Sequence, residues 1–368
     1  MKKEEERIKK VAVVGLGVIG ASLGMALTAT RKYHVIGVDS DRETLGIAVE
    51  TGVAAVVTDD VFDGVRNTDL VFLALPVNEI IRVGQMISEC LAPETVVTDV
   101  GSTKRVVVEA LEERFSSRFV GGHPMTGSER AGIRGADQYL FENAIYLLTP
   151  TPRTDPAALD VVSGVVADTG ARVMYVSPEE HDVMVAAVSH LPHLLAVSLM
   201  NVASHIASEY PETMILAAGG FRDVTRIAAS QSAMWRDIYM TNRENIVNMS
   251  RRLRKYLEEM ENNLEKGNFE AIVAEIKKAR EEREKIPFRV RGLLPSVYEV
   301  LVTVADRPGS IAEVTALVAS KDLNIVDIEI VRVREGEGGT LRLAFKTPEE
   351  ADSAESILKG SGFIAKRR

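Results

Sequence analysis

The residues best suited to chemistry fall in three short polar clusters. Gly121-Gly122-His123-Pro124-Met125-Thr126-Gly127-Ser128-Glu129 combines three glycines, a proline and a histidine, a composition that suits an active-site loop better than a core. A neutral His123 can take a proton from a hydroxyl as hydride leaves the same carbon. The competing reading is a structural histidine whose hydrogen bonds are satisfied. Ser189-His190-Leu191-Pro192-His193 places two imidazoles three residues apart on one helix face. That spacing suits a metal, but no carboxylate or cysteine completes a set, so no metal is expected. One of the pair can then satisfy the core while the other lines a cleft. Gly219-Gly220-Phe221-Arg222-Asp223-Val224-Thr225-Arg226 puts Asp223 and Arg226 on a common face. An arginine fork matches a carboxylate through two parallel hydrogen bonds; a surface ion pair is the alternative. Trp235, the single tryptophan, follows in Met234-Trp235-Arg236-Asp237 and suits either core packing or the wall of a site for a ring.

Such chemistry needs a hydride acceptor, and the N-terminal residues supply a place for one. Gly15-Leu16-Gly17-Val18-Ile19-Gly20 follows the apolar run Val11-Ala12-Val13-Val14 and opens a helix. Asp39 stands nineteen residues after Gly20, at the end of the next apolar run. Strand, glycine turn, helix and acid in this order make a dinucleotide site. Gly15 permits the tight turn, Gly17 the approach of a pyrophosphate, and Gly20 close helix–strand packing. The helix start then offers free N–H groups to the phosphates. Asp39 accepts from ribose hydroxyls and repels a 2′-phosphate, favouring NAD over NADP, although Arg42 nearby suits that phosphate. Leu75-Pro76 and Val100-Gly101-Ser102 end the next two strands, where ligands of open α/β sheets lie. Ser102 reads equally as a helix cap and as a substrate contact.

The elements that must position these groups are legible. Val35–Val38, Leu70–Leu75 and Thr95–Asp99 repeat the buried β-branched pattern, with helices Arg42–Glu50 and Asn78–Cys90 between them. This is a doubly wound α/β arrangement. Past Pro178 no strand is evident up to Lys285. Pro178-Glu179-Glu180 opens a helix, and later helices break at Gly267-Asn268 and end at Pro287. A third, α+β unit begins near Tyr298: strand Val300–Val304, helix Ser310–Ser320, strands Asn324–Arg334 and Leu341–Phe345, helix Pro348–Leu358, and a short last strand.

Composition narrows the classes further. The 368 residues carry a net charge of -9 and a mean hydropathy of +0.03, which excludes a global basic field for nucleic acid or anionic membrane. One cysteine, Cys90, cannot form an intramolecular disulfide; it reads as a small buried hydrophobe in a reducing cytoplasm. The apolar stretch Val11–Leu27 imitates a signal peptide, but the acids Glu4 to Glu6 and its glycines argue against one, and no transmembrane helix is expected.

Taken together, the blocks Gly15–Gly20, Asp99–Lys104, Gly121–Glu129, Ser189–His193, Gly219–Arg226 and Met234–Asp237 resemble prephenate dehydrogenases. The resemblance implies a Rossmann-type domain over 1–177, an all-α dimerisation domain over 178–291 and a homodimer. It implies NAD-dependent oxidative decarboxylation of prephenate to 4-hydroxyphenylpyruvate, with His123 and Ser102 at the 4-hydroxyl. Arg226 would bind a carboxylate, His193, Ser128 and Glu129 would line the pocket, and Asp223 and Trp235 would support it. The same resemblance leaves arogenate dehydrogenase as the near alternative. A hydroxyacid or 6-phosphogluconate-type dehydrogenase would give the Gly121–Glu129 block no task, and a non-catalytic NAD-responsive regulator would give His123 and Arg226 none.

The third unit, 297–368, resembles an ACT domain of βαββαβ order. Asp306-Arg307-Pro308-Gly309-Ser310-Ile311 and Asn324-Ile325-Val326-Asp327-Ile328 carry that likeness. By it, Asp306, Pro308, Gly309, Ser310, Ile311 and Asn324 would hold a regulatory amino acid, tyrosine first; a purely structural pairing module is the alternative.

Overall fold

The apolar runs become strands β1 (Lys9–Val14), β2 (Tyr33–Val38), β3 (Val56–Thr58), β4 (Leu70–Leu73), β5 (Val96–Asp99), β6 (Phe119–Pro124), β7 (Ile145–Thr149) and β8 (Arg172–Tyr175). The computed structural model describes residues 9–128, 130–286, 298–334 and 338–367, without the side chains of 331–334 and 338. Its contacts divide the chain into two units, Met1–Val290 and Arg291–Arg368.

In the first unit the strands form one sheet in the order β3-β2-β1-β4-β5-β6-β7-β8, parallel except between β6 and β7. Helices α1 (Val18–Thr30), α2 (Arg42–Glu50), α3 (Val61–Val65), α4 (Val77–Ile87), α5 (Arg105–Leu111) and α6 (Pro156–Asp168) connect and cover it. Alternate residues of one strand serve opposite faces. Val11 and Val13 join Leu23, Phe72 and Val162 in one core, whereas Ala12 and Val14 join Leu73, Ile80 and Leu111 in the other. A strand covered on both faces must be apolar throughout, which is why these runs lack alternation.

A Ser177 capping box starts α7 (Pro178–Val185), where Glu180 returns a bond to the Ser177 backbone. A π-type turn over Ala186–His190 carries it into α8 (Leu191–Glu209). By length and composition the Pro178–Glu209 run could cross a membrane, and 28% of its most apolar window is buried. Its first turns carry His181, Asp182, His190 and His193, all buried against other elements of this unit. Then follow α9 (Gly219–Thr225), α10 (Ser232–Thr241), α11 (Arg243–Glu265) and α12 (Phe269–Lys285). Trp235, Ile238 and Ile246 form the small core of this helical part with Ala186.

The second unit runs β9 (Tyr298–Val304), α13 (Ser310–Ala319), β10 (Asp327–Arg334), β11 (Gly338–Phe345), α14 (Pro348–Gly360) and β12 (Ile364–Arg367). Its sheet order is β10-β11-β9-β12, antiparallel throughout. Arg342, buried to 3% exposure, reaches Glu299 at 2.7 Å, Asp327 at 2.5 Å and Glu329 at 2.9 Å.

Several expectations need correction. Cys90 is exposed, because α4 ends at Ile87 and leaves it in the following turn, its Sγ donating to the Ile87 carbonyl at 3.1 Å. Ser102 caps no helix, since α5 begins at Arg105 and its first N–H groups are taken by Asp182 instead. β10 begins at Asp327, leaving Asn324 in the preceding loop. Pro287 lies outside the described residues.

Candidate active site

At the end of β1, Gly15 takes φ +94°, and a Cβ there would meet the Ala74 carbonyl at 2.3 Å. A Cβ on Gly20 would lie 1.9 Å from the Gly15 carbonyl. The turn and the helix can therefore touch only as glycines. Around Gly17, which caps α1 without a side-chain bond, a Cβ would meet nothing within 4 Å. Val18 and Ile19 open the helix behind it, and their free helix-start groups with that open space fit a pyrophosphate. Asp39 holds the rim: one carboxylate oxygen accepts from Leu16 N at 2.8 Å, the other from Asp41 N at 2.9 Å. Arg42 is exposed and pairs with Asp59 at 3.3 Å. Across the sheet, Pro76 caps α4 after Leu75, and Gly101 N donates to Asp99 at 2.8 Å.

Asp99, at the end of β5, is the buried anchor of the next layer. Its Oδ1 accepts from Gly122 N at 3.1 Å, and its Oδ2 pairs with Lys104 Nζ, both side chains fully buried. Burial pulls the Lys104 ammonium below its ordinary pKa, against the pull of Asp99 and Asp182. A Cβ on Gly122 would strike the Asp99 carbonyl at 2.6 Å, so the glycine lets β6 run close to β5. His123 follows directly, towards the carboxyl end of β6, which runs parallel to β5.

The helical part meets His123 there. His123 Nδ1 lies 2.8 Å from His181 Nε2, and His181 Nδ1 lies 2.8 Å from Asp182 Oδ1. Asp182 accepts from Lys104 N at 2.7 Å and Arg105 N at 3.1 Å, so α7 seats the start of α5. Asn242, at the start of α11, donates to the Asp182 carbonyl at 2.7 Å and lies 3.2 Å from His190 Nδ1. Burial, reinforced by His181, Lys104 and His190, holds His123 well below the usual histidine range. Burial likewise lowers His190 to about 4.

His190 sits edge-on to Trp235, while His193 stacks on the indole at 3.6 Å and 7° and bonds Tyr239 OH at 2.7 Å. His193, Trp235 and Tyr239 border a cleft of about 700 Å³ with Ser230, Arg236 and Arg243. Among the described residues the buried Trp235 Nε1 has no hydrogen-bond partner. Of the two histidines read from Ser189–His193, one is thus bonded in the core and the other faces the cleft.

This polar chain joins His123 to His190, and the rings of His190 and His193 both meet Trp235. Asp223, on α9, and Arg226, at the start of the turn leading to Ser230, are both exposed. Ser128 is exposed and accepts from Arg130 N at 3.1 Å, and Glu129 lies outside the described residues. The sequence reading passed over His181, Asp182, Tyr239 and Asn242. A signal existed for the first two: Pro178, His181, Asp182 and Val185 follow the i, i+3, i+4, i+7 spacing of a buried helix stripe, and all four are buried. Two polar groups on such a stripe need partners.

Residues 23–175 match the family model of the prephenate dehydrogenase nucleotide-binding domain, 177–278 that of the prephenate dehydrogenase dimerization domain, and 298–357 the ACT domain. A prephenate dehydrogenase of Bacillus subtilis is 36% identical over 356 residues, 95% of either chain. A solved prephenate dehydrogenase of A. aeolicus in complex with hydroxyphenyl propionate and NAD+ is 34% identical with a TM-score of 0.72, covering 76% of this chain and 98% of that one. A solved Synechocystis arogenate dehydrogenase is 29% identical with a TM-score of 0.68, covering 76% and 100%.

Proposed function

This chain belongs to the prephenate dehydrogenase family, and from that membership we propose how its own residues carry the reaction. It is an NAD-dependent prephenate dehydrogenase that oxidatively decarboxylates prephenate to 4-hydroxyphenylpyruvate. NAD+ supplies the hydride acceptor. Gly15 to Gly20 would hold its pyrophosphate and Asp39 its ribose, and Leu75, Pro76 and Gly101 would face the nicotinamide half.

His123 carries the reading, as a neutral imidazole at the carboxyl end of the sheet. As hydride leaves C4, the 4-hydroxyl proton moves toward His123, which raises electron density on oxygen and weakens the C–H bond. The C1 carboxylate departs as CO2, its bonding pair enters the ring, and the proton returns to the new phenol. No net proton is consumed. Ser102, released from any capping duty, bonds the same hydroxyl. Arg226 takes the side-chain carboxylate by its fork, a local cation against a net charge of -9. His193, Trp235, Asp223, Ser128 and Glu129 shape the pocket.

We divide the chain as 1–177, 178–291 and 297–368, and read it as a homodimer of the cytoplasm paired through its helical part. Regulation falls to the ACT domain. Among the described residues Gly309, at φ +91°, has open space around it and the buried Ser310 Oγ lacks a partner, so the Asp306–Ile311 turn with Asn324 suits an amino acid such as tyrosine. The Synechocystis likeness keeps arogenate as a second substrate reading. Initial rates of NADH formation with prephenate and with arogenate, each with NAD+ and NADP+ and with added tyrosine, test these points. Faster turnover of arogenate would overturn the substrate assignment.

A further inference from the structure

Two buried residues outside the assigned site touch its central histidine in series. His181 is fully buried and Asp182 is 1% exposed. Both stand on α7, whereas His123 stands on β6. A buried carboxylate of this kind does more than fill space, because its acceptors are committed. Asp182 accepts two backbone N–H groups from the start of α5, at 2.7 and 3.1 Å. An ionised carboxylate has no proton to give, so the 2.8 Å contact with His181 Nδ1 requires the proton on that nitrogen. A neutral imidazole carries one proton, which leaves His181 Nε2 bare. The 2.8 Å contact from Nε2 to His123 Nδ1 then requires His123 to donate from Nδ1. His123 Nε2 is left as the acceptor.

We propose that His181 and Asp182 are positioning residues that fix the tautomer of His123, so that its Nε2 faces the substrate hydroxyl without a proton. This rests on the reading of His123 as the group that receives the hydroxyl proton. The opposite tautomer presents Nε2–H and can only donate to the hydroxyl oxygen, which opposes hydride departure. Burial keeps both rings neutral, with Lys104 and His190 also facing His123 and Asp182 opposing the effect at His181. Asn242 holds the relay from behind through the Asp182 carbonyl. The same α7 carboxylate anchors the segment following Ser102. The helical part thereby sets the protonation geometry of a residue that belongs to the sheet.

The test uses the full-length enzyme and two substitutions. In His181→Gln the side-chain amide can donate to Asp182 and accept from His123, preserving the order of the relay. In His181→Leu the order is lost. The expected result is a kcat reduced on the order of 10-fold to 100-fold in His181→Leu, part of what general base catalysis supplies. KM for NAD+ should stay unchanged, and His181→Gln should keep most of kcat. NMR of the imidazole nitrogens in ligand-free wild type should show the His123 proton on Nδ1, and His181→Leu should shift it toward Nε2. A wild-type His123 protonated on Nε2 would overturn the relay, as would a folded His181→Leu with full kcat or a His181→Gln no better than His181→Leu. Because the tautomer is read without substrate, failure to turn over prephenate would strike the functional assignment alone.

Discussion

Replacing Lys104 with methionine removes the cation from a fully buried pair while nearly keeping volume. Asp99 would keep its two backbone donors, Gly101 N and Gly122 N, but lose its only countercharge among the described residues. Breaking a buried ion pair from one side typically costs 3–5 kcal/mol. With two donors retained, the expected loss is at the lower end, about 3 kcal/mol, against a total stability of about 5–15 kcal/mol. Asp99→Asn should cost about as much, by stranding Lys104 and turning an amide toward a backbone N–H. The double variant should recover about 3 kcal/mol of the summed losses, since neither charge is then buried alone. Urea unfolding at fixed protein concentration, followed by fluorescence of the single tryptophan Trp235, reads this directly, because Trp235 belongs to the same unit. A loss below about 1 kcal/mol for Lys104→Met, or strict additivity in the double variant, would refute the claim that burial makes this pair costly to break.

Arg226→Ala should raise KM for prephenate and leave kcat within a few-fold, whereas His123→Asn should lower kcat by about 10² or more with little change in KM; steady-state kinetics separate them. Gly20→Ala would bring a Cβ within 1.9 Å of the Gly15 carbonyl, so NAD+ binding by calorimetry should be lost or severely weakened. Acid should destabilise the first unit: His190 is lowered from 6.5 to about 4, so the unfolded chain binds its proton first. That contribution is present above pH 6.5 and disappears as pH falls toward 4, on the order of 3 kcal/mol, and denaturant midpoints across that range should fall accordingly. Arg342→Met removes the cation shared by Glu299, Asp327 and Glu329, so the second unit should lose stability in calorimetric scans while prephenate turnover without effector persists.

Residue order alone was enough for the doubly wound α/β arrangement, the dinucleotide turn, the loss of strands after Pro178 and the βαββαβ tail. Each of these is a local matter of periodicity, turn chemistry or residue spacing, and the glycines of Gly15–Gly20 state their own requirement. It also singled out His123, because a histidine among glycines has few structural reasons to be there. It could not decide between a cap and a contact for Ser102, since both use the same residue types. The structure removes the cap: Asp182 arrives from 77 residues away to take the Arg105 N–H. Cys90 surfaced for a similar reason: α4 stops three residues earlier than its apolar pattern suggests. The partners of His123 were beyond local reading, because hydrogen bonds between β6 and α7 depend on how two layers pack. Which nitrogen of an imidazole meets which acceptor follows from that packing and from nothing shorter in range.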